Sequence, residues 1–195
     1  MLVAGDPDKM SDVIIRDATV RDADALAVVH VRTWQETYRG QVPQEYLDQL
    51  DPVQRRQGWR QWIQQDRAPA GTLVLEHERE GVIGFVNVSP GRDTDTDSRL
   101  VGEIVAVYLL PPFWGQGAGR LLMEAGTRRL AKAGYREIVL WVLETNGRAR
   151  RFYEAGGWRA DGSRKTDGSR GFPYVEVRYR CTVEIDSMTA ASALP

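Results

Sequence analysis

One cysteine and two histidines in 195 residues remove several chemistries at the outset. Cys181, having no second cysteine, can form no intramolecular disulfide, which suits a reducing compartment, and a cytoplasmic protein is expected. His30 and His77 lie far apart, and neither a CxxC nor an HExxH pattern occurs, so no metal site is expected. An excess of charge of either sign is missing too. With 26 Lys and Arg against 27 Asp and Glu, the formal net charge is -1, and the chain has no global basic field to attract nucleic acid or an anionic membrane. No stretch approaches the roughly 20 apolar residues of a membrane span. The opening "MLVAGDPDKMSD" is polar, is broken by Gly and Pro, and lacks the apolar centre of a secretory signal. What is present is ordinary for a globular domain: 42% hydrophobic and 27% charged residues. Residues 13–184 are expected to form one domain, residues 1–12 a disordered extension, and 185–195 a flexible tail.

Periodicity divides the domain into alternating elements. "VIIRDATV" (13–20) reads as a strand and "RDADALAVVHVRTWQETYRG" as a helix, with Asp22 and Asp24 near its positive end and Gly40 stopping it. A second helical region runs from about Pro43 to Gln65 and is expected to break near Asp51-Pro52, because proline disfavours helix in the residue before it. "TLVLEHE" and "VIGFVNV", joined by a turn at Arg79-Glu80-Gly81, read as a hairpin. "EIVAVYLL" and "REIVLWVLE" are apolar on both faces and so should be covered central strands, with a helix between them ending near Gly134. "GRARRFYEA" reads as a short helix closed by Gly156-Gly157. "YVEVRYRCTV" alternates, as a half-exposed strand does. The order implies an α/β fold of the α+β kind, a mixed sheet with helices packed on it.

The join between "EIVAVYLL" and the following helix holds "PPFWGQGAGR", in which Gly115, Gly117 and Gly119 alternate with larger residues. Free backbone N–H groups at a helix start, together with the helix dipole, make an anion site that glycine lets a phosphate approach. A GxGxxG dinucleotide fingerprint fails here, because its third glycine is Arg120. A P-loop fails as well, since Gly119 is followed by Arg120-Leu121 rather than Lys-Ser/Thr. Glycines that serve only a tight loop are the bland alternative.

"VYLLPPFWGQGAGRLLM" resembles the signature of the GNAT superfamily of N-acetyltransferases, in which a strand and a proline precede (Arg/Gln)-x-x-Gly-x-(Gly/Ala) and a long helix. "NGRARRFYEAGGW" is similar to the family's second signature, with Asn146, Ala149, Phe152, Tyr153, Glu154, Gly157 and Trp158 in register. Trp114 departs from the pattern, standing where Arg or Gln is usual. The resemblance covers about residues 13–184. It implies a central twisted, mostly antiparallel sheet with a splayed parallel strand pair and helices on both faces, with acetyl-CoA as cosubstrate and no metal. It further implies that the amides of Gly115, Gln116, Gly117, Ala118, Gly119 and Arg120 hold the pyrophosphate. Val107, Tyr108, Leu109 and Leu110 would flank the pantetheine arm, and Leu109 N–H would polarise the thioester carbonyl. Trp114, Asn146, Ala149 and Phe152 complete the implied coenzyme contacts.

Tyr153 is the candidate acid, because a phenol of pKa about 10 can protonate a thiolate of about 8.5 and recover the proton from water. Glu103 is the candidate base. Its even offset of six residues from Leu109 predicts that both side chains share one strand face, roughly 20 Å apart. Trp34, Tyr38 and Tyr46, with Asp93 and Asp95, are candidates to line a pocket for a cationic amine; helix core for Trp34 and solvated loop for the acids are the plain alternatives. Arg148, Arg150 and Arg151 are candidates for the ribose phosphate, and Cys181 reads as packing. Acetyl-CoA and a small amine, amino-acid-like or antibiotic, are therefore the expected partners, without nucleic acid or membrane. A protein N-terminus or lysine as acceptor, and a non-catalytic acyl-CoA sensor, are the rival readings. Related folds often dimerise, so a homodimer is left open.

Overall fold

The computed structural model describes residues 12–183. All but Asp12 of the expected N-terminal extension, Glu184, and the whole of the expected tail lie outside the described residues. Seven strands form one sheet: β1 (Val13–Asp17), β2 (Gly71–His77), β3 (Gly81–Pro90), β4 (Val101–Leu109), β5 (Glu137–Leu143), β6 (Arg159–Asp167) and β7 (Tyr174–Thr182). Their order is β1-β2-β3-β4-β5-β7-β6, and every neighbouring pair is antiparallel except β4–β5. The helices are α1 (Ala23–Thr37), α2 (Gln44–Asp48), α3 (Pro52–Gln65), α4 (Ala118–Lys132) and α5 (Gly147–Ala155).

The expected break in the second helical region falls at Asp51-Pro52. Pro52 opens α3, and the Asp51 carboxylate accepts from Val53 N–H at 2.9 Å. Helices cover both faces of the sheet. On one face, Leu26, Ala27 and Val29 of α1 and Trp59 of α3 bury against Val74 and Phe85. On the other, Leu122, Met123 and Leu130 of α4, with Tyr153 of α5, bury against Val86, Val88, Ile104 and Tyr179. One or two strands are expected after the last helix, and β6 is the one to which periodicity gives no range. Its residues are exposed nearly throughout, and its pairing with β7 is interrupted between Ala160 and Arg164, beside Gly162 at φ +89°. An edge strand that is polar on both faces carries no alternation to read.

Two registers position the site. First, β4 and β5 pair only from Val101–Glu137 to Ile104–Leu140, whereas β3–β4 pairing continues to Leu109 and β5–β7 pairing to Leu143. Beyond Ile104 and Leu140 the two strands part. Second, Asn87 pairs with Ala106 but Val88 with Ile104, which leaves Val105 as a bulge in β4. The bulge overturns the even-offset expectation for Glu103. Directly paired residues share a face. Ser89–Glu103 therefore goes with Asn87–Ala106 and Phe85–Tyr108 on the α1 face, whereas Leu109 lies on the α4 face with Val86, Val88 and Ile104.

Gly84, opposite Leu109, has no room for a side chain. A Cβ there would lie 2.9 Å from the Tyr108 carbonyl oxygen and 2.9 Å from the Leu109 side chain. Gly84→Ala should displace the end of β4 and cost about 2 kcal/mol, a fall in Tm of about 4–8 °C for a chain of this size. Gly58→Ala, on the exposed face of α3 with open space around it, should raise Tm slightly. Thermal melts of the two variants check both directions.

Candidate active site

Where β4 and β5 part, a cavity of about 540 Å³ opens between the strands, α1, the start of α4, α5 and the β6–β7 loop. Its walls include Val107, Tyr108 and Leu109 on β4, Trp141 and Val142 on β5, and Ala149, Phe152 and Tyr153 on α5. Leu110 N–H donates to Ile83 C=O across β3. By the alternation of an antiparallel ladder, Leu109 and Val107 turn their own N–H and C=O groups away from β3, into the gap. The Leu109 carbonyl is held there by two donors, Thr33 Oγ1 at 3.1 Å and the Trp114 indole N–H at 2.7 Å. Leu109 N–H is left facing the gap.

The cradle follows at once. Gly115 and Gly117 take φ +75° and +91°, values at which L side chains are strained, and Gly117 is the N-cap of α4. The amides of residues 115–119 have no protein acceptor among the described residues. Arg120 N–H differs from the expectation, because the Gly117 carbonyl takes it at 2.9 Å. Five consecutive amides at the positive end of a 15-residue helix remain available to an anion. Arg148 lies over the Trp114 ring at 3.5 Å and lines the cavity with Arg120. Arg150 is instead spent on the Tyr179 hydroxyl and the Glu144 carbonyl, and Arg151 is exposed.

Asn146 caps α5 by accepting from Ala149 N–H at 3.1 Å, and its side-chain amide N–H groups have no protein acceptor among the described residues. Seven residues on, Tyr153 is 8% exposed and lines the cavity, and its hydroxyl makes no hydrogen bond to the described residues. Burial pushes its phenol well above the usual tyrosine range, so the group is a protonated donor at neutral pH. Tyr38 lines the same cavity and is likewise raised by burial, with the charges of Tyr108, Tyr153 and Glu176 adding to the effect. Trp34 is both core and wall: it is 7% exposed and donates to the Tyr108 hydroxyl at 2.8 Å.

Several expected site residues lie elsewhere. Glu103 is 2% exposed, is gripped by both ends of the Arg92 guanidinium at 2.6 and 2.9 Å, and is not among the cavity walls. Asp93 and Asp95 bind Arg178 at 2.9 and 2.7 Å, and Asp93 also accepts from Trp141 N–H. Their charge neutralises a buried arginine, not an acceptor amine. Asp161 and Ser163 complete the shell of Arg178, tying the β3–β4 loop to β7 and β6. Leu110, Gln116 and Ala118 contribute no wall, and Gln116 reaches the Pro112 carbonyl instead. Burial pushes the Cys181 thiol up to about 12, so it is no nucleophile at neutral pH. Arg170, Phe172, Tyr174 and Glu176, which no motif of the sequence marks, also line the cavity. The alternation in "YVEVRYRC" does place Tyr174 and Glu176 on one face, but that polar face looks into the cavity rather than into solvent.

The chain matches the model of the acetyltransferase (GNAT) family over residues 31–158. The chain belongs to the GNAT family. Among curated relatives, the uncharacterised N-acetyltransferase YuaI of Bacillus subtilis (strain 168) is 33% identical over 134 residues, 69% of this chain and 73% of that protein. A mycothiol acetyltransferase of Kocuria rhizophila is 34% identical over 148 residues, 72% of this chain but only 45% of its own length. Among solved structures, the PaiA N-acetyltransferase of Thermoplasma acidophilum in complex with coenzyme A is similar with a TM-score of 0.69 at 19% identity, covering 88% of this chain and 99% of that one. The yncA protein of Salmonella typhimurium with acetyl-CoA has a TM-score of 0.64 at 20% identity, covering 89% and 95%. These structures share the GNAT fold, and the family makes the protein an N-acetyltransferase. No helix among the described residues is long and apolar enough to cross a membrane, and no group of three or more His, Cys, Asp or Glu among them is placed to hold a metal ion.

His30, behind Tyr108, gives a pH-dependent stability. Its ring stacks on Tyr108 at 5.1 Å, and its Nδ1 is buried without a partner among the described residues. Burial, with the charges of Arg55 and Arg170, lowers it to about 3. The unfolded chain takes up this proton near pH 6.5 and the folded chain only near 3, so His30 adds no proton-linked cost above 6.5 and progressively destabilises the fold as pH falls below it. His30→Phe should flatten the decline of Tm between pH 6.5 and 4, read by melts of both proteins across that range.

Proposed function

We propose that the protein transfers the acetyl group of acetyl-CoA to the primary amine of a small molecule, by direct attack with both substrates bound. The observation that carries this reading is the parted β4–β5 pair, which runs from the five open amides of residues 115–119 to the free Tyr153 hydroxyl. The residues fit the coenzyme. The amides and the dipole of α4 suit a diphosphate, with Arg148 beside them. The unpaired backbone edges of β4 and β5 suit an extended amide-bearing arm, which would pair as an added strand does. Asn146, with its amide N–H groups unspent, is placed to donate to the same arm.

Acetyl-CoA supplies an acetyl thioester as the electrophile. Leu109 N–H would donate to its carbonyl oxygen, where negative charge develops. The acceptor nitrogen bonds to the carbonyl carbon, the carbon–sulfur bond breaks, and the amine proton leaves to water or a nearby base. Tyr153 would protonate the departing sulfur and regain its proton from solvent. A role for Glu103 as base finds no support, since Arg92 holds both of its oxygens and it is not among the cavity walls. The aromatic walls Trp34, Tyr38 and Phe172 support a small acceptor rather than a protein segment.

Tyr153→Phe should lower kcat by about 100-fold while leaving coenzyme affinity within about twofold. Thiol release across an amine panel, with calorimetry of acetyl-CoA binding, reads the two separately. Unchanged turnover in the variant would remove Tyr153 from the chemistry. Coenzyme binding without turnover on any amine would sink the small-amine reading.

A further inference from the structure

Resting on the acetyltransferase reading above, we propose that the acceptor is a small primary amine that also carries a carboxylate, with the carboxylate seated on Arg170 and the amine beside Glu176. Arg170 lies in the β6–β7 loop, half-buried, with its guanidinium 4.4 Å from the centre of the Trp34 ring. Its Nε and Nη1 donate to the hydroxyls of Tyr174 and Tyr46, each at 3.2 Å. No carboxylate lies within ion-pair range of it among the described residues. Asp167 is reached only through the Tyr174 hydroxyl, which donates to it at 2.7 Å.

Arg178, by contrast, is buried with three carboxylates. A guanidinium walled by rings and held by hydroxyls has no carboxylate in contact with it, and its Nη2 has no partner among the described residues. Its remaining N–H donors form the planar fork that a carboxylate accepts. Glu176, on the neighbouring strand β7, brings the opposite charge to the same cavity. Lys165 holds its Oε2 at 3.3 Å, and Oε1 has no partner among the described residues. On the side away from Arg120 and Arg148, the cavity thus has one positive and one negative group, which matches an amine and an acid on a single small molecule. It opposes an acceptor with only positive charges, because Arg170 repels a second ammonium in a partly dehydrated space.

Arg170 is not needed by the coenzyme's phosphates. It sits with Trp34 and Tyr108 on the α1 face of the sheet, whereas the open amides belong to the start of α4, on the opposite face. Arg170 and the open amides therefore serve different ligands.

The test uses the full chain and matched amines: L-amino acids, the same compounds without the carboxylate, aminoalkyl phosphonates, and linear diamines. Wild type should favour the carboxylates over their neutral counterparts in kcat/KM by about 100-fold, and Arg170→Met should erase that preference while coenzyme affinity stays unchanged. Glu176→Gln should lower kcat/KM for acidic and neutral amines alike. A preference for diamines or phosphonates, no preference at all, a preference that survives Arg170→Met, or a Glu176→Gln enzyme that behaves as wild type would each overturn the proposal. Calorimetry with N-acetyl amino acids and N-acetyl amines reads the anion subsite without turnover. If no amine reacts, the small-amine reading fails. The subsite then still stands or falls on whether the acids bind in an Arg170-dependent way.

Discussion

Everything at the cavity depends on two central strands that stop bonding to each other halfway along. β4 and β5 are parallel for four residue pairs and then separate, although each keeps its outer neighbour to the end. Backbone groups left bare inside a protein are costly, and native folds satisfy nearly all of them. Here the Leu109 carbonyl is satisfied by Thr33 and Trp114, two side chains from different elements, while Leu109 N–H is left open. The rest of the architecture holds that opening apart. α4 buries against one face and α1 against the other, and α5 stands against β7 through the Glu154–Tyr179 hydrogen bond at 2.6 Å.

Much of this was legible from residue types alone, because the elements that build the coenzyme side are strongly patterned. The apolar runs around Ile104 and Leu140, the alternating glycines, and the helix starting at Asn146 each follow from a local rule, and all came out where expected. Trp114 is more informative. It stands where the family pattern has Arg or Gln, and the structure gives its side chain the tasks of holding the Leu109 carbonyl and stacking under Arg148.

The acceptor side was poorly legible, for a specific reason. Charge reading from sequence counts carboxylates without their partners. Asp93 and Asp95 looked available in a polar loop, but the arginine that claims them is over 80 residues away. Glu103 lost its expected place to a single bulged residue, Val105, which turns the strand's face over within one step. Arg170 and Glu176 carry no sequence signal of a site, because polar residues on an alternating strand, and in the loop before it, look like a wet surface. Only tertiary contacts, such as Arg170 on the Trp34 ring of α1, show that this surface lines the cavity.

The four-pair seam between β4 and β5 divides the sheet into a larger leaf, β1 to β4, and a smaller one, β5 to β7. At that level Arg178 acts as a buckle, since its carboxylates come from the β3–β4 loop on one leaf and the start of β6 on the other. On the proposed function, a long flexible cosubstrate completes the ladder that the chain itself leaves unfinished. The donor then bridges the two leaves, and the acceptor meets a wall that the molecule it is about to react with helps to form.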